Sequence, residues 1–150
     1  FVTRDTAQKC WRRCHPQHED VLMVCVGATT GRVCRIANPP PTVIVRSVAL
    51  LRPNRSIIDP QFLEYALESS ECQSQIWESV KQSAQPCLYI YRMKQLSIPV
   101  LPLPEQRGIA AYLDSLEEKV DELKRLQDET EKEIEELILS ILDKAFKGEL

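Results

Sequence analysis

A chain of 150 residues, 43% apolar and 27% charged, has room for one ordinary domain or for a smaller one with an appendage. No run approaches 18 apolar residues, which excludes a membrane-spanning helix, and the polar stretch behind Phe1 shows no secretory signal, so the chain reads as cytoplasmic. Its net charge of −3 conceals a division: residues 1–103 hold 12 Lys+Arg against 8 Asp+Glu, whereas residues 104–150 hold 7 against 14, so a basic head able to approach phosphate precedes an acidic tail that repels it.

Residues 1–19 are polar and basic, with weak periodicity, and read as a loop or helix. Cys10, Cys14, His15 and His18 cluster in CWRRCHPQH. They are zinc-ligand types, but Cys14 and His15 are adjacent and no second pair follows at finger spacing, so no metal site is expected. The six cysteines read as reduced thiols. VLMVCV (21–26) is a short apolar run suited to a buried strand. GATTG (27–31) supplies turn chemistry, and RVCRI (32–36) reads as the returning strand.

ANPPPT (37–42) is a loop, because proline cannot donate to a ladder. It brushes against the Asn-Pro-Pro-aromatic motif of adenine methyltransferases, but Pro41 stands at the aromatic position. No glycine-rich strand–turn–helix for a methyl donor precedes it either. VIVRSVALL (43–51) is the best strand pattern in the chain. Asp59 suits an N-cap and Pro60 a first helical position. Phe62, Leu63, Ala66, Leu67, Ile76, Trp77 and Val80 then follow helical spacing, weakly through SSEC, and predict one helix to about Gln82. CLYIY (87–91) predicts a short strand, and LSIPVL (96–101) an extended segment.

From Pro104 the pattern changes. Ile109, Leu113, Leu116, Val120 and Leu123 step by four and three, and the frame continues through Gln127 and Thr130 to Ile134, Leu137 and Ile141. This is a heptad seam with a polar interruption. Gly148, after Lys144 and Lys147, marks its end. Roughly 44 helical residues span about 65 Å. Eight apolar seam residues at roughly 2 kcal/mol each represent about 16 kcal/mol of gross burial, so a partner helix is expected. Pro99, Pro102 and Pro104 form a stiff joint between a mixed α/β head (1–103) and this spacer helix (104–150), an α+β architecture. The Glu122-Leu123-Lys124 triplet mimics part of a nuclease signature but falls on the heptad helix, and GxxxxGK[ST] is absent from the sequence.

Several stretches resemble the specificity subunit of type I restriction–modification systems: EDVLMVCVGATTGRVCRI, IDPQFLEYALES, QSAQPCLYIYRMKQLSIPVLPLPEQRGIAAYL and ILSILDKAFKGEL. The PLPEQ junction before a long helix ending in SILDKAFKGEL is the most specific part. The resemblance covers nearly all of the chain. It implies a target-recognition domain joined to a spacer helix, with no catalytic centre. It also implies double-stranded DNA, modification (methyltransferase) subunits and a restriction subunit as partners, with no membrane. S-adenosylmethionine, ATP and Mg are expected on those partner subunits and none on this chain. A full family member carries two such domains and two such helices, whereas this chain carries one set, short at its amino-terminal side. The expected helix partner is a second copy or another specificity half.

For DNA contact, phosphates need Lys, Arg or backbone N–H groups, and base edges need side-chain donors and acceptors. Arg4, Lys9, Arg12, Arg13 and Arg32 are the basic candidates. Thr29 and Thr30 join them in the glycine turn, with Gln82, Ser83 and Gln85 before LYIY and Lys94 after it. A solvated surface charge is the competing reading for each basic residue, and a plain hairpin for GATTG. Arg46 reads as structural. For helix pairing the candidates are Ile109, Leu113, Leu116, Val120, Leu123, Ile134, Leu137 and Ile141. The predicted function is sequence-specific DNA recognition. A coiled-coil scaffold that binds no DNA is the alternative.

Overall fold

The structure is a computed structural model that describes residues 2–38, 43–80 and 85–149. It divides into two compact units, Phe1–Ala110 and Ala111–Leu150. The class is α+β, as the sequence pattern implies.

In the first unit α1 spans Arg4–Arg13, with Thr3 as N-cap accepting from the Thr6 N–H and Asp5 in the first turn. Three short strands follow: β1 (Val21–Val24), β2 (Val33–Arg35) and β3 (Val48–Leu51). They form an antiparallel sheet of order β2-β1-β3, with Val21 opposite both Arg35 and Leu51. Burial alternates along β1, and Val21 and Met23 face the core. Against that face pack Phe62, Leu63, Ala66 and Leu67 of α2 (Pro60–Glu68) and Cys72, Ile76 and Val80 of α3 (Ser70–Val80). The short α4 (Ile90–Met93) buries no residue, and α5 spans Leu103–Lys147.

The helix expected from Asp59 onward starts as predicted: Pro60 is its first residue, and the Asp59 carboxylate accepts from the N–H groups of Gln61 and Phe62. It does not continue as one element. Ser69 adopts an extended ψ of 146°, ends α2 and caps α3, because its hydroxyl donates to Ala66 O (2.7 Å) and accepts from the Cys72 N–H (3.3 Å). The predicted end near Gln82 lies outside the described residues, as do Ser83 and the proline run 39–42.

Two predicted strands are corrected. Of 43–51 only Val48–Leu51 pairs, and Arg46 lies exposed in a turn before it. Val45 is also exposed, so the upstream residues have no buried face to hold them in a ladder. Of CLYIY only Cys87 forms a bridge, to Val26, and only Leu88 is buried. The next residues close local bonds instead, with the Met93 N–H donating to Tyr89 O (3.0 Å), and become α4.

Two polar knots fix the first unit. Asp20 is buried, and its carboxylate accepts from Gln17 N–H (2.7 Å) and from Arg52 Nε and Nη2 (2.9 and 2.7 Å). Burial alone would raise this carboxyl, but Arg52 and the Gln17 amide outweigh it and hold Asp20 below its ordinary value. The second knot is Gln106, with no exposed surface. Its Nε2 donates to Ile57 O (2.9 Å) and Leu101 O (2.6 Å), and its Oε1 accepts from the Asp59 N–H (2.7 Å). The glutamine of PLPEQ thereby ties the first turn of α5 to the N-cap of α2.

The second unit is the body of α5, unbroken to Lys147. Gly148 has φ +72°, and the Glu149 N–H bonds Lys144 O while the Gly148 N–H bonds Ala145 O, a Schellman stop. Among the described residues no helix is long and apolar enough to cross a membrane.

Candidate nucleic-acid interface

The turn between β1 and β2 is built to hold a fixed shape. Gly27 and Gly31 take φ of 101° and 91°, a region side-chain-bearing residues rarely adopt. A side chain at Gly31 would also place its Cβ 2.7 Å from Gln73 Oε1. From inside, Gln73 Nε2 donates to Gly31 O (2.9 Å) and Leu67 O (2.8 Å). Residues 28–32 line an open cleft of about 390 Å³ with Glu68, Gln73 and Trp77. The Gly27 N–H donates to Pro86 O (3.0 Å), which places exposed Gln85 beside the turn.

Among the sequence candidates, Thr29 and Arg32 are exposed on this turn. Thr30 is not available for contact: it is 2% exposed and its hydroxyl donates to Gly27 O (2.7 Å), so it fastens the turn from within. Arg4, Lys9 and Arg12 are exposed on α1, and none of them is among the residues that line the cleft. The Arg13 side chain lies outside the described residues. Lys94 is exposed just after α4. Four other arginines are engaged inside the first unit: Arg35 with Glu64, Arg52 with Asp20, Arg55 with Glu19 and Arg107 with Asp59.

Trp77 was expected on the helical core face, yet it is 37% exposed and forms a wall of the cleft. Helical spacing alone does not separate a core tryptophan from one at a core margin. An exposed aromatic knuckle was missed as well: Tyr89 and Tyr91 stack at 5.8 Å, with Arg92 5.3 Å from the Tyr91 ring centre. The clustered aromatics and Arg of LYIYR were its available signal.

All six thiols are free, and burial pushes those of Cys25 and Cys72 up, away from reactivity. Trp11 packs against His15, and His18 Nδ1 bonds Ala37 O. Among the described residues no three His, Cys, Asp or Glu side chains converge as metal ligands.

On α5 the predicted stripe is uncovered. Ile109, Leu116, Val120, Leu123, Ile134, Leu137 and Ile141 are 37–60% exposed, and Leu113 is half-buried. Leu126, Ile138, Leu139, Leu142 and Phe146 are also exposed, so the apolar surface near the carboxyl end is wider than the heptad frame suggests. Gln127, Thr130 and Glu131 interrupt it along a shallow apolar groove between Leu123 and Ile134. The Glu122-Leu123-Lys124 triplet is ordinary helix surface: Arg125 bridges Glu122 and Glu129, and Lys124 pairs with Asp121.

Comparison with known proteins places this arrangement. The chain is 30% identical over 140 residues to the type I restriction enzyme EcoBI specificity subunit of Escherichia coli, an alignment covering 93% of this chain and 29% of that protein. In fold it matches the crystal structure of the HsdS subunit from Thermoanaerobacter tengcongensis, with a TM-score of 0.67 at 23% identity. That match covers 81% of this chain and 32% of the other. The chain thus spans about a third of the length of these relatives. The family described as type I restriction modification DNA specificity domain matches residues 12–136, from the end of α1 through most of α5, and the chain belongs to that family.

Proposed function

We propose that this chain is a DNA-reading segment of a type I restriction–modification specificity subunit. It recognises part of a bipartite duplex sequence and positions modification and restriction subunits on it. Its own contribution is recognition and placement, without catalysis. S-adenosylmethionine, ATP and Mg belong to the partner subunits. The observation that carries this reading is the family match over residues 12–136, which takes in both the β1–β2 turn and most of α5.

In this reading Arg4, Lys9, Arg12, Arg13, Arg32 and Lys94 are drawn to phosphates, and Thr29 and Gln85 lie near the duplex. The uncovered stripe of α5 supports pairing with a second copy or another specificity half. The wider apolar surface at residues 137–146 supports a further contact with a modification subunit. A helix of 45 residues is roughly 68 Å long at about 1.5 Å per residue, against about 35 Å for one turn of duplex. Antiparallel pairing of two such helices would space two reading domains by just under two turns.

The test is selection from randomised duplex by gel shift at low and moderate salt. Enrichment of a defined motif is the expected result. Binding that is absent throughout, with association through α5 intact, would favour a scaffold instead.

A further inference from the structure

The β1–β2 turn uses its backbone amides unevenly. The N–H groups of Gly27, Thr30, Gly31 and Arg32 donate to Pro86, Gly27, Val24 and Thr29 carbonyls at 3.0, 3.1, 2.9 and 3.1 Å. Those of Ala28 and Thr29 donate to nothing among the described residues, and both residues are exposed. The Thr29 hydroxyl and the Arg32 guanidinium likewise have no partner among the described residues. Two successive free amides in a turn form a small concavity that suits an anion, and an adjacent arginine adds charge and a forked donor.

We infer that residues 28–32 form a cradle for one backbone phosphate of duplex DNA, held by the Ala28 and Thr29 amides, the Thr29 hydroxyl and Arg32. This assignment rests on the DNA-reading function proposed above and sharpens it: the turn positions the duplex and does not read its sequence. A phosphate only accepts hydrogen bonds, which matches a site rich in donors. Every base pair, by contrast, also presents a donor in the major groove. The seat must be rigid to hold a shape, and the buried Thr30 and Gln73 bonds keep it so.

The experiment uses the 150-residue chain on the duplex it selects. Arg32→Ala should lower the slope of log K against log salt by about one while the selected motif stays the same. Single methylphosphonates walked along the duplex should reveal one position that weakens the unaltered chain more than it weakens Arg32→Ala. A changed motif with an unchanged slope would overturn the cradle and make Arg32 a base reader. An unchanged slope and motif would also overturn it. A second arm needs no DNA: inorganic phosphate should move the Ala28 and Thr29 amide resonances in the unaltered chain, and at higher concentration in Arg32→Ala. Movement without any duplex binding would sink the DNA-reading function and leave a phosphate site standing, as a site for the free anion. Still resonances would sink the cradle alone wherever the duplex is bound.

Discussion

Replacing Gln106 by Leu keeps the approximate volume of the side chain and deletes all of its hydrogen bonds. The site has no exposed surface, so water cannot take over. The Asp59 N–H and the carbonyls of Ile57 and Leu101 lose their side-chain partner together. A fully buried unsatisfied group costs about 1–3 kcal/mol, less where Ile57 is exposed and Asp59 and Leu101 are half-buried, and the leucine recovers roughly 1–2 kcal/mol through its apolar surface, so a net loss of about 1–4 kcal/mol is expected. Against a total stability of about 5–15 kcal/mol for a typical domain, that leaves the first unit marginal. The assay is urea unfolding followed by tryptophan fluorescence, because Trp11 and Trp77 both lie in the first unit. Circular dichroism follows α5 in the same samples. A loss smaller than about 1 kcal/mol would refute the reasoning, since Gln106 has no exposed surface and its three bonds would then contribute almost nothing.

Asp20→Asn should lower stability at neutral pH by about 1–2 kcal/mol, a figure discounted because the Arg52 side chain is half-exposed. The Asp20 carboxyl is held below its ordinary value, so its contribution is fully present above the ordinary carboxylate range and fades as pH falls through the lowered value. The variant should therefore show a flatter acid limb in thermal melts below about pH 4; identical limbs would contradict the assigned pair. Leu116→Glu with Leu123→Glu places two charges on the α5 stripe. Two lost seam contacts at about 2 kcal/mol each should weaken association through the helix roughly a thousandfold. Sedimentation equilibrium at micromolar concentration should show a dimer for the unaltered chain and a monomer for the variant.

Much of this was legible in the sequence where one local rule decides the outcome. Asp59-Pro60 fixed a helix start because cap chemistry is local. The step of three and four from Ile109 to Ile141 gave a helix that the structure shows unbroken. The rest depended on tertiary context. Ser69 breaks a helical pattern through two bonds of one hydroxyl, a choice the apolar spacing cannot register. CLYIY has strand-like residues but only one buried side chain beyond Cys87, so its later part folds into α4. In the candidate site, GATTG announced a turn, while the opposite fates of Thr29 and Thr30 depend on which hydroxyl faces Gly27. Gln106 reads as an ordinary polar helix residue until Ile57, Asp59 and Leu101 are seen around it.

Inserting one heptad after Leu123 lengthens α5 without turning its apolar stripe away from a partner. Seven residues add about 10.5 Å to the helix, which corresponds to roughly three base pairs of duplex. Selection from randomised DNA should therefore return the same half-sites with the gap between them about three base pairs wider. An unchanged gap would contradict the proposal that pairing through α5 sets the distance between two half-sites.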